Sequence, residues 1–225
     1  PVGRMNAGDP DTAYAAANNI VIAHQYSYGR EAAALMAACV AEAARPTATV
    51  ESIVQVALRL AKDGTRKALE SVIQAARSAP ADEIATQTHL RAAMEPYDTV
   101  KGGVQEFERA GAYPSQLHSI EEVPLALAYV LVADGDYSKA VLGAVNYGRD
   151  SDSIAGMAGA IIGALHGKSG LPQRWANEIG TRNKIDFDAT ASALYTLFER
   201  DYQGTYQQTQ QRYRELSSIM SESRS

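Results

Sequence analysis

The sequence predicts an all-α protein. Alanine is by far the commonest of its 225 residues, and alanine has the highest intrinsic helix propensity. Valine, isoleucine, threonine and phenylalanine never gather into alternating runs, whereas apolar residues recur at spacings of three and four along most of the chain. With 46% hydrophobic and 21% charged residues the composition is that of a folded domain. These observations favour packed helices and exclude an all-β or a mainly disordered chain.

Helix signals follow one another through the first half of the chain. Asp9 and Pro10 begin a helix predicted to run to Gln25, because aspartate is a favoured N-cap and proline suits the first helical position. The alanine-rich run from 31 to 45 predicts a helix that is buried nearly all round and stops before Pro46. Apolar stripes predict three further helices within residues 49–64, 68–79 and 82–94.

The second half begins with the longest irregular segment, residues 95–119, and then returns to helices. Ser119 and Glu122 have capping-box spacing and start a helix predicted to end at Val132. Asp136 is the predicted N-cap of a helix that reaches about residue 146. Further helices are predicted within 148–167, 172–179 and 188–200. We therefore expect a helical domain over residues 1–202, followed by a polar tail over 203–225 that forms a loosely docked helix.

Charge and cysteine content limit the setting in which the protein works. The formal net charge is −5 and no basic block stands out, so binding to nucleic acid through phosphate contacts is not expected. The single cysteine, Cys39, cannot form an internal disulfide, which is typical of a reducing compartment. No apolar stretch reaches the roughly 18 residues of a membrane span, and no signal peptide is present. The sequence thus predicts a cytoplasmic protein with no membrane partner.

The segment from Tyr147 to Ile154 offers a cluster of oxygen donors between two predicted helices. Asp150, Asp152 and Ser153 can reach a common point, and neither histidine nor cysteine lies nearby. Oxygen-only ligands select a hard cation, Mg²⁺ in the first place, with Mn²⁺ and Ca²⁺ as alternatives. The same residues are also typical of an ordinary N-cap with acidic groups in the first turn. The local pattern alone favours the cap interpretation.

Three glycines in the following helix favour a binding site instead. Gly159, Gly163 and Gly167 recur every four residues and form one side-chain-free stripe. Each interior glycine costs up to about 1 kcal/mol relative to alanine, so the stripe predicts the close approach of another helix. Such packing would hold the acidic end of the helix rigidly, as a ligand set requires.

The run from Asn146 to Gly167, followed by Leu171-Pro172 and Trp175, resembles the C-terminal metal motif of the ADP-ribosylglycohydrolases. That family, which includes the dinitrogenase-reductase-activating glycohydrolase, usually has Gly-Gly-Asp-Thr-Asp-Thr-Ile-Ala at this point. Further landmarks agree, namely Gly8-Asp9-Pro10, His24 with Gly29, and Glu122-Val123-Pro124. The resemblance spans about residues 1–175, and its metal motif is the most specific part.

The resemblance implies a compact orthogonal multi-helix bundle around a site with two Mg²⁺ ions, which binds an ADP-ribosyl group and hydrolyses its glycosidic bond. The family's metal ligands map onto Asp150, Asp152 and Ser153. Substrate contacts are implied for His24 and Gly29 after the first long helix, for Leu117 in the loop before Glu122, and for Arg149 beside the metal ligands. The catalytic residue of the family has no counterpart in this sequence.

Two departures from the family pattern affect these expectations. Arg149 replaces the usual second glycine of the motif, so a guanidinium lies beside the ligands and could bind a substrate phosphate or carboxylate. The family's other ligand triplet, Ser or Thr followed by two aspartates, does not occur in the chain, and three ligands do not complete an octahedral site. We therefore expect an N-terminal portion of the fold to act as a partner, supplied as a separate chain or as a cleaved fragment.

Two functions remain open from the sequence, beside the plainer interpretation of a helical interaction protein in which residues 150–153 only cap a helix. The first is an ADP-ribosylglycohydrolase-like enzyme that acts on an ADP-ribosylated substrate or an ADP-ribose-like small molecule. The second is a non-catalytic protein of the same fold that binds a nucleotide or a partner. The sequence does not distinguish the group attached to the ribose.

Overall fold

The computed structural model describes residues 1–98 and 119–222. Within these residues the protein is helical and contains no β-strand, so the all-α prediction is confirmed. The helices in chain order are α1 (Val2–Met5), α2 (Pro10–Val21), α3 (Ser27–Ala43), α4 (Val50–Leu60), α5 (Asp63–Arg77), α6 (Glu83–Met94), α7 (Ser119–Val132), α8 (Tyr137–Tyr147), α9 (Ser151–His166), α10 (Gln173–Asn183) and α11 (Phe187–Glu222). None of the described helices is long and apolar enough to cross a membrane.

Side-chain caps start several helices where the sequence predicts them. The Asp9 carboxylate accepts a hydrogen bond from the backbone N–H of Thr12 at 3.0 Å, at the start of α2. Thr49 and Ser52 form a reciprocal capping box on α4. The Asp136 carboxylate accepts from the backbone N–H of Lys139 at 2.8 Å and so begins α8. Each cap satisfies a backbone donor that the first helical turn leaves without an intrahelical partner.

The chain divides into two compact units, Pro1–Asn177 and Glu178–Ser225. In the first unit, α3, α5, α7 and α9 supply most of the core. Helix α7 is buried from Ser119 through Val130, so it lies at the centre of this unit. The alanines of α3 allow close packing, because Ala34, Ala37 and Ala41 form one buried cluster with Ala13 and Ala17 of α2.

The close approach of another helix that the glycine stripe of α9 predicts is found at Gly159 but not at Gly163 or Gly167. A Cβ atom added to Gly159 would lie 3.1 Å from the Tyr137 hydroxyl oxygen and 3.4 Å from Val141 Cγ2, so α8 does approach α9 closely here. A Cβ at Gly163 would make only an ordinary contact, 3.7 Å from Leu171. Gly167 has no neighbour within 4 Å of its added Cβ and ends the helix with a φ of +65°. It is a C-terminal cap, which favours glycine for its backbone conformation.

The second unit consists of the end of α10 and the long helix α11. The Asp186 carboxylate accepts from the backbone N–H of Ala189 at 2.8 Å at the start of α11. The helix is 36 residues long and continues through residues 200 and 203, where the sequence predicts first a helix end and then the start of the tail. Glutamine side chains stabilise this part of α11, since Gln211 donates a hydrogen bond to the Glu215 carboxylate, one turn later, at 2.9 Å. The division at 202 remains a prediction.

Candidate functional site

Residues 148–150, which join α8 to α9, form the backbone of the candidate site. Gly148 has a φ of +80° and Arg149 a φ of +57°. Two successive residues in the left-handed region turn the chain sharply, and only glycine adopts that region without a steric cost. The turn lets α9 begin at Ser151, directly after α8 ends at Tyr147. Asp150, Asp152 and Ser153 therefore lie together at the N-terminal end of α9.

Asp150 stands at the N-cap position of α9 but does not act as a cap. Its side chain makes no capping hydrogen bond and instead hydrogen-bonds to the Glu122 side chain of α7. Burial, the hydrogen bond to Asp150 and the nearby charges of Asp150, Glu121 and Asp152 raise the pKa of Glu122 to about 8. At neutral pH this carboxyl holds a proton. The Asp150 side chain thus contacts α7 and does not cap the first turn of α9.

Glu121, the neighbour of Glu122 on α7, organises a second set of contacts. It is buried, and its two carboxylate oxygens accept from the Tyr147 hydroxyl at 3.0 Å and from Arg149 Nε at 2.9 Å. Arg149 Nη2 also forms an ion pair with Asp98 at 3.0 Å. Burial and the adjacent Glu121 raise the pKa of Tyr147 well above its usual range, so its hydroxyl remains a donor. Arg149 is therefore held by two carboxylates.

Helix α6 fixes the end of α8 from the other side. Arg91 Nη2 donates to the backbone carbonyl of Tyr147 at 2.5 Å, and its guanidinium lies 4.8 Å from the centre of the Tyr147 ring. Gln87 Nε2 donates to the carbonyls of Asn146 and Tyr147 at 2.8 and 2.9 Å. These contacts satisfy carbonyls at the C-terminal end of α8 and position the turn that follows.

A cavity of about 360 Å³ lies between α6 and this cluster. Its polar lining includes Thr88 and Arg91 of α6, together with Asp98, Glu121 and Arg149. Its volume is at the lower end of those found for small-molecule sites. Glu121 borders this cavity, and the adjacent Glu122 contacts Asp150.

The structure places the other predicted substrate residues at different points. Gly29 is buried in the first turn of α3, where an added Cβ would lie 2.6 Å from Gln25 Oε1 and 3.6 Å from the Ser119 hydroxyl. Gly29 therefore lies near Ser119 at the start of α7, and Ser119 is two residues before Glu121. His24 lies in the exposed turn after α2. Leu117 lies outside the described residues.

Within residues 1–98 and 119–222, no three His, Cys, Asp or Glu side chains form a group that could hold a metal ion. The assignment of Asp150, Asp152 and Ser153 as metal ligands therefore stays a prediction.

Sequence reasoning missed Glu121, Tyr147, Arg91 and Asp98. The two adjacent glutamates on α7 were interpreted as part of a helix start. A signal did exist, because α7 is otherwise apolar along its whole length, so acidic groups at its N-terminal end had to be buried or nearly so, and buried acids need partners. Asp98 and Arg91 carry no comparable local signal.

Comparison with known proteins identifies the family. The ADP-ribosylglycohydrolase family model matches residues 1–204. The chain is 36% identical over 96 residues to the uncharacterized protein YegU of Escherichia coli (strain K12). These aligned residues make up 43% of this chain and 28% of that protein. It is 35% identical over 86 residues to an uncharacterized protein of Archaeoglobus fulgidus. The aligned residues make up 38% of this chain and 27% of that protein.

A third relative has a named activity. The ADP-ribosylarginine hydrolase Tri1 of Serratia proteamaculans (strain 568) is 33% identical over 67 residues, or 30% of this chain and 18% of that protein. The matched stretches span less than a third of the length of these curated relatives. No solved structure matches the chain. Because the family model covers most of its length, the chain belongs to the ADP-ribosylglycohydrolase family.

Proposed function

We propose that this chain contributes the C-terminal part of the active site of a Mg²⁺-dependent ADP-ribosylglycohydrolase. Its substrate would be an ADP-ribosylated molecule, whose glycosidic bond at the ribose is hydrolysed. The family match over residues 1–204 supports the class of reaction. The name of the Serratia relative, an ADP-ribosylarginine hydrolase, makes ADP-ribosylated arginine the first substrate to examine.

One observation carries the proposal: Asp150 occupies an N-cap position without making the cap hydrogen bond. Its carboxylate faces a second, buried carboxyl on α7 instead. Carboxyl groups gathered at one helix end repel one another when ionised, and a bound cation would relieve that repulsion. The donors available, two aspartates and a hydroxyl, are those that a hard cation prefers. The residues present therefore fit Mg²⁺, or Mn²⁺ and Ca²⁺ in its place.

Asp150, Asp152 and Ser153 would supply the C-terminal half of a two-ion Mg²⁺ site. When bound, the metal would polarise the ribosyl oxygens and orient a water molecule. The role of Glu122 follows from its protonation state, since a protonated carboxyl can donate its hydrogen to Asp150 and keep Asp150 ionised. We assign the substrate contacts to Arg149, Gly29, His24 and Leu117.

The ligand set proposed here is incomplete by itself, because an octahedral Mg²⁺ ion takes six oxygens. Water supplies some of these in most magnesium sites. We propose that the rest come from the N-terminal portion of the family fold, acting as a partner to the residues described here.

Calorimetric titration with Mg²⁺ tests the proposal directly. We expect Asp150→Asn and Asp152→Asn to weaken Mg²⁺ binding by at least roughly tenfold, because each removes a charged ligand. Asp136→Asn is the matched control, since Asp136 caps α8 at a comparable N-terminal position and should leave Mg²⁺ affinity unchanged. Equal affinity in all three variants would reject the metal assignment.

Release of ADP-ribose from an ADP-ribosylarginine peptide tests the reaction itself, with the chain alone and with an N-terminal portion added. We expect turnover that depends on Mg²⁺ and is lost in Asp150→Asn. Tight binding of ADP-ribose without turnover, even with the N-terminal portion present, would favour a non-catalytic nucleotide-binding protein.

A further inference from the structure

Helix α11 exposes a row of large side chains at heptad spacing. Tyr195, Tyr202, Tyr206, Thr209, Tyr213 and Leu216 recur at alternating intervals of four and three, apart from the step of seven between Tyr195 and Tyr202. The tyrosines are 57–72% exposed and Leu216 is 55% exposed. A stripe with a mean spacing of 3.5 residues is the pattern by which one helix packs along another. We call these six residues the tyrosine stripe.

The exposure of the tyrosine stripe is unusual for so long a helix. At 36 residues α11 is about 54 Å long, and helices of soluble proteins gain most of their stability by packing an apolar face. The family match ends at residue 204, so four of the six stripe residues lie beyond the matched residues. The stripe therefore needs an explanation other than the glycohydrolase site.

We propose that the tyrosine stripe is a dimer interface, on which α11 of a second copy of this chain packs in the antiparallel direction. The four tyrosines expose about 500 Å² of side chain per copy, if each full side chain buries roughly 200 Å². With Leu216 and the flanking Ile219 the pair buries on the order of 1,200 Å², which reaches the size of a stable interface.

Charge decides the direction of packing. Residues 187–201 carry three acidic side chains and one arginine, a net charge of −2, whereas residues 202–217 carry two arginines and one glutamate, a net charge of +1. Antiparallel packing about the middle of the stripe sets residues 199–201 of each helix against residues 214–216 of the other, so that Asp201 lies at the level of Arg214. Parallel packing would set the two negative halves together and place Glu199 against Glu199 between Tyr195 and Tyr202, which is unfavourable.

In the heptad of the stripe, Tyr206 and Tyr213 occupy position a, and Tyr202, Thr209 and Leu216 occupy position d. Antiparallel packing sets the a positions of one copy opposite the d positions of the other. With Tyr206 opposite Thr209 of the second copy, Tyr202 lies opposite Tyr213 of the second copy. Glu199 then meets Leu216 rather than another acid. The flanking Phe198 and Ile219 lie on the same edge of the stripe, so that each extends the apolar contact of the other copy.

Sedimentation equilibrium of the full chain tests the proposal. We expect a dimer of twice the 24.1 kDa monomer mass at high concentration. Tyr202→Glu should weaken dimerisation on the order of a hundredfold, because it buries an unpaired charge. Gln211→Glu adds the same charge on the opposite face of α11 and should leave the dimer intact. A wild-type chain that stays monomeric overturns the proposal, as does a Tyr202→Glu variant that dimerises normally.

A double variant tests the direction. Tyr202→Glu combined with Tyr213→Lys places opposite charges across both layers of an antiparallel pair, so we expect the dimer to return to within about tenfold of wild type. In a parallel pair the same variant would oppose like charges and remain monomeric, which would refute the antiparallel register. Recovery would also show that α11 folds in the variants.

Discussion

Arg149 combines an unfavourable backbone with a favourable side chain, and the balance between them can be measured. Its φ of +57° lies in the left-handed region, and the family motif normally has glycine there. Its guanidinium, with the side chain 24% exposed, pairs with Glu121, whose side chain is 5% exposed. Replacing Arg149 with glycine relieves the backbone and breaks the pair.

The two effects differ in size. Glycine at position 149 removes the cost of the left-handed conformation, which stabilises the folded state by about 1 kcal/mol. Glycine also gives the unfolded chain more entropy, which destabilises the folded state by about 0.5–1 kcal/mol and offsets much of that gain. Leaving the buried Glu121 carboxylate without its cation costs about 3 kcal/mol, the lower end for a buried pair because Tyr147 stays bonded to it. We therefore expect Arg149→Gly to lower the free energy of unfolding by about 2–3 kcal/mol.

A double-mutant cycle isolates the pair. Glu121→Gln alone should cost about 2 kcal/mol, since a charge-assisted hydrogen bond to Arg149 is lost. Combining it with Arg149→Gly leaves no buried charge and keeps an acceptor for Tyr147, so the double variant should lose about 1 kcal/mol or less. The interaction energy is then about 3 kcal/mol.

Urea unfolding followed by the fluorescence of Trp175 measures these values. Trp175 is the single tryptophan and packs against Tyr137 with ring centres 6.2 Å apart, so it reports on the first unit. Asp134→Gly is the control for the backbone effect, because Asp134 is exposed and has a φ of +48°; it should not destabilise the protein. An Arg149→Gly variant as stable as wild type would refute a stabilising ion pair between Arg149 and Glu121. So would a double variant whose loss of stability equals the sum of the losses in the two single variants.

Two other predictions concern packing and burial. Gly159→Ala should be less stable than Gly156→Ala by about 1–3 kcal/mol, because only the Cβ at position 159 meets a neighbour, the Tyr137 hydroxyl. Both variants gain the helix propensity of alanine, so Gly156→Ala, with nothing within 4 Å, should stabilise the protein by up to about 1 kcal/mol. Reversal of this order in urea unfolding would contradict the packing. Burial raises the pKa of the Cys39 thiol to about 12, so a thiol reagent should label native protein at pH 8 far more slowly than protein in urea, and equal rates would show that Cys39 is accessible.

The helices of the first unit were predictable because their signals are local. Asp9, Thr49 and Asp136 cap the helices that the sequence assigned to them, and each of these interactions spans only three residues. The continuity of α11 through residues 200–203 was not predicted, since Glu199 interrupts the row of large side chains there and a run rich in glutamine follows. Glutamine nevertheless has a good helix propensity.

The candidate site was predictable only in part, for a related reason. The Asp150 region stands out because its acids and hydroxyls are adjacent in sequence. The partners of Arg149 are 28 and 51 residues away, and no local pattern specifies which distant acids a cation will meet. The sequence could therefore identify the turn but not the two carboxylates that hold it.

The adjacent glutamates of α7 explain why this turn is well placed for a ligand set. Successive helical residues point about 100° apart, so Glu121 and Glu122 face different neighbours from one rigid, buried helix. Glu121 holds Arg149 through an ion pair, and Glu122 bonds Asp150 directly. The strained backbone of Arg149 is thus fixed by the same element that orients the next residue. A substitution at Arg149 that releases Glu121 should therefore also disturb Asp150, although Arg149 itself need not touch a metal.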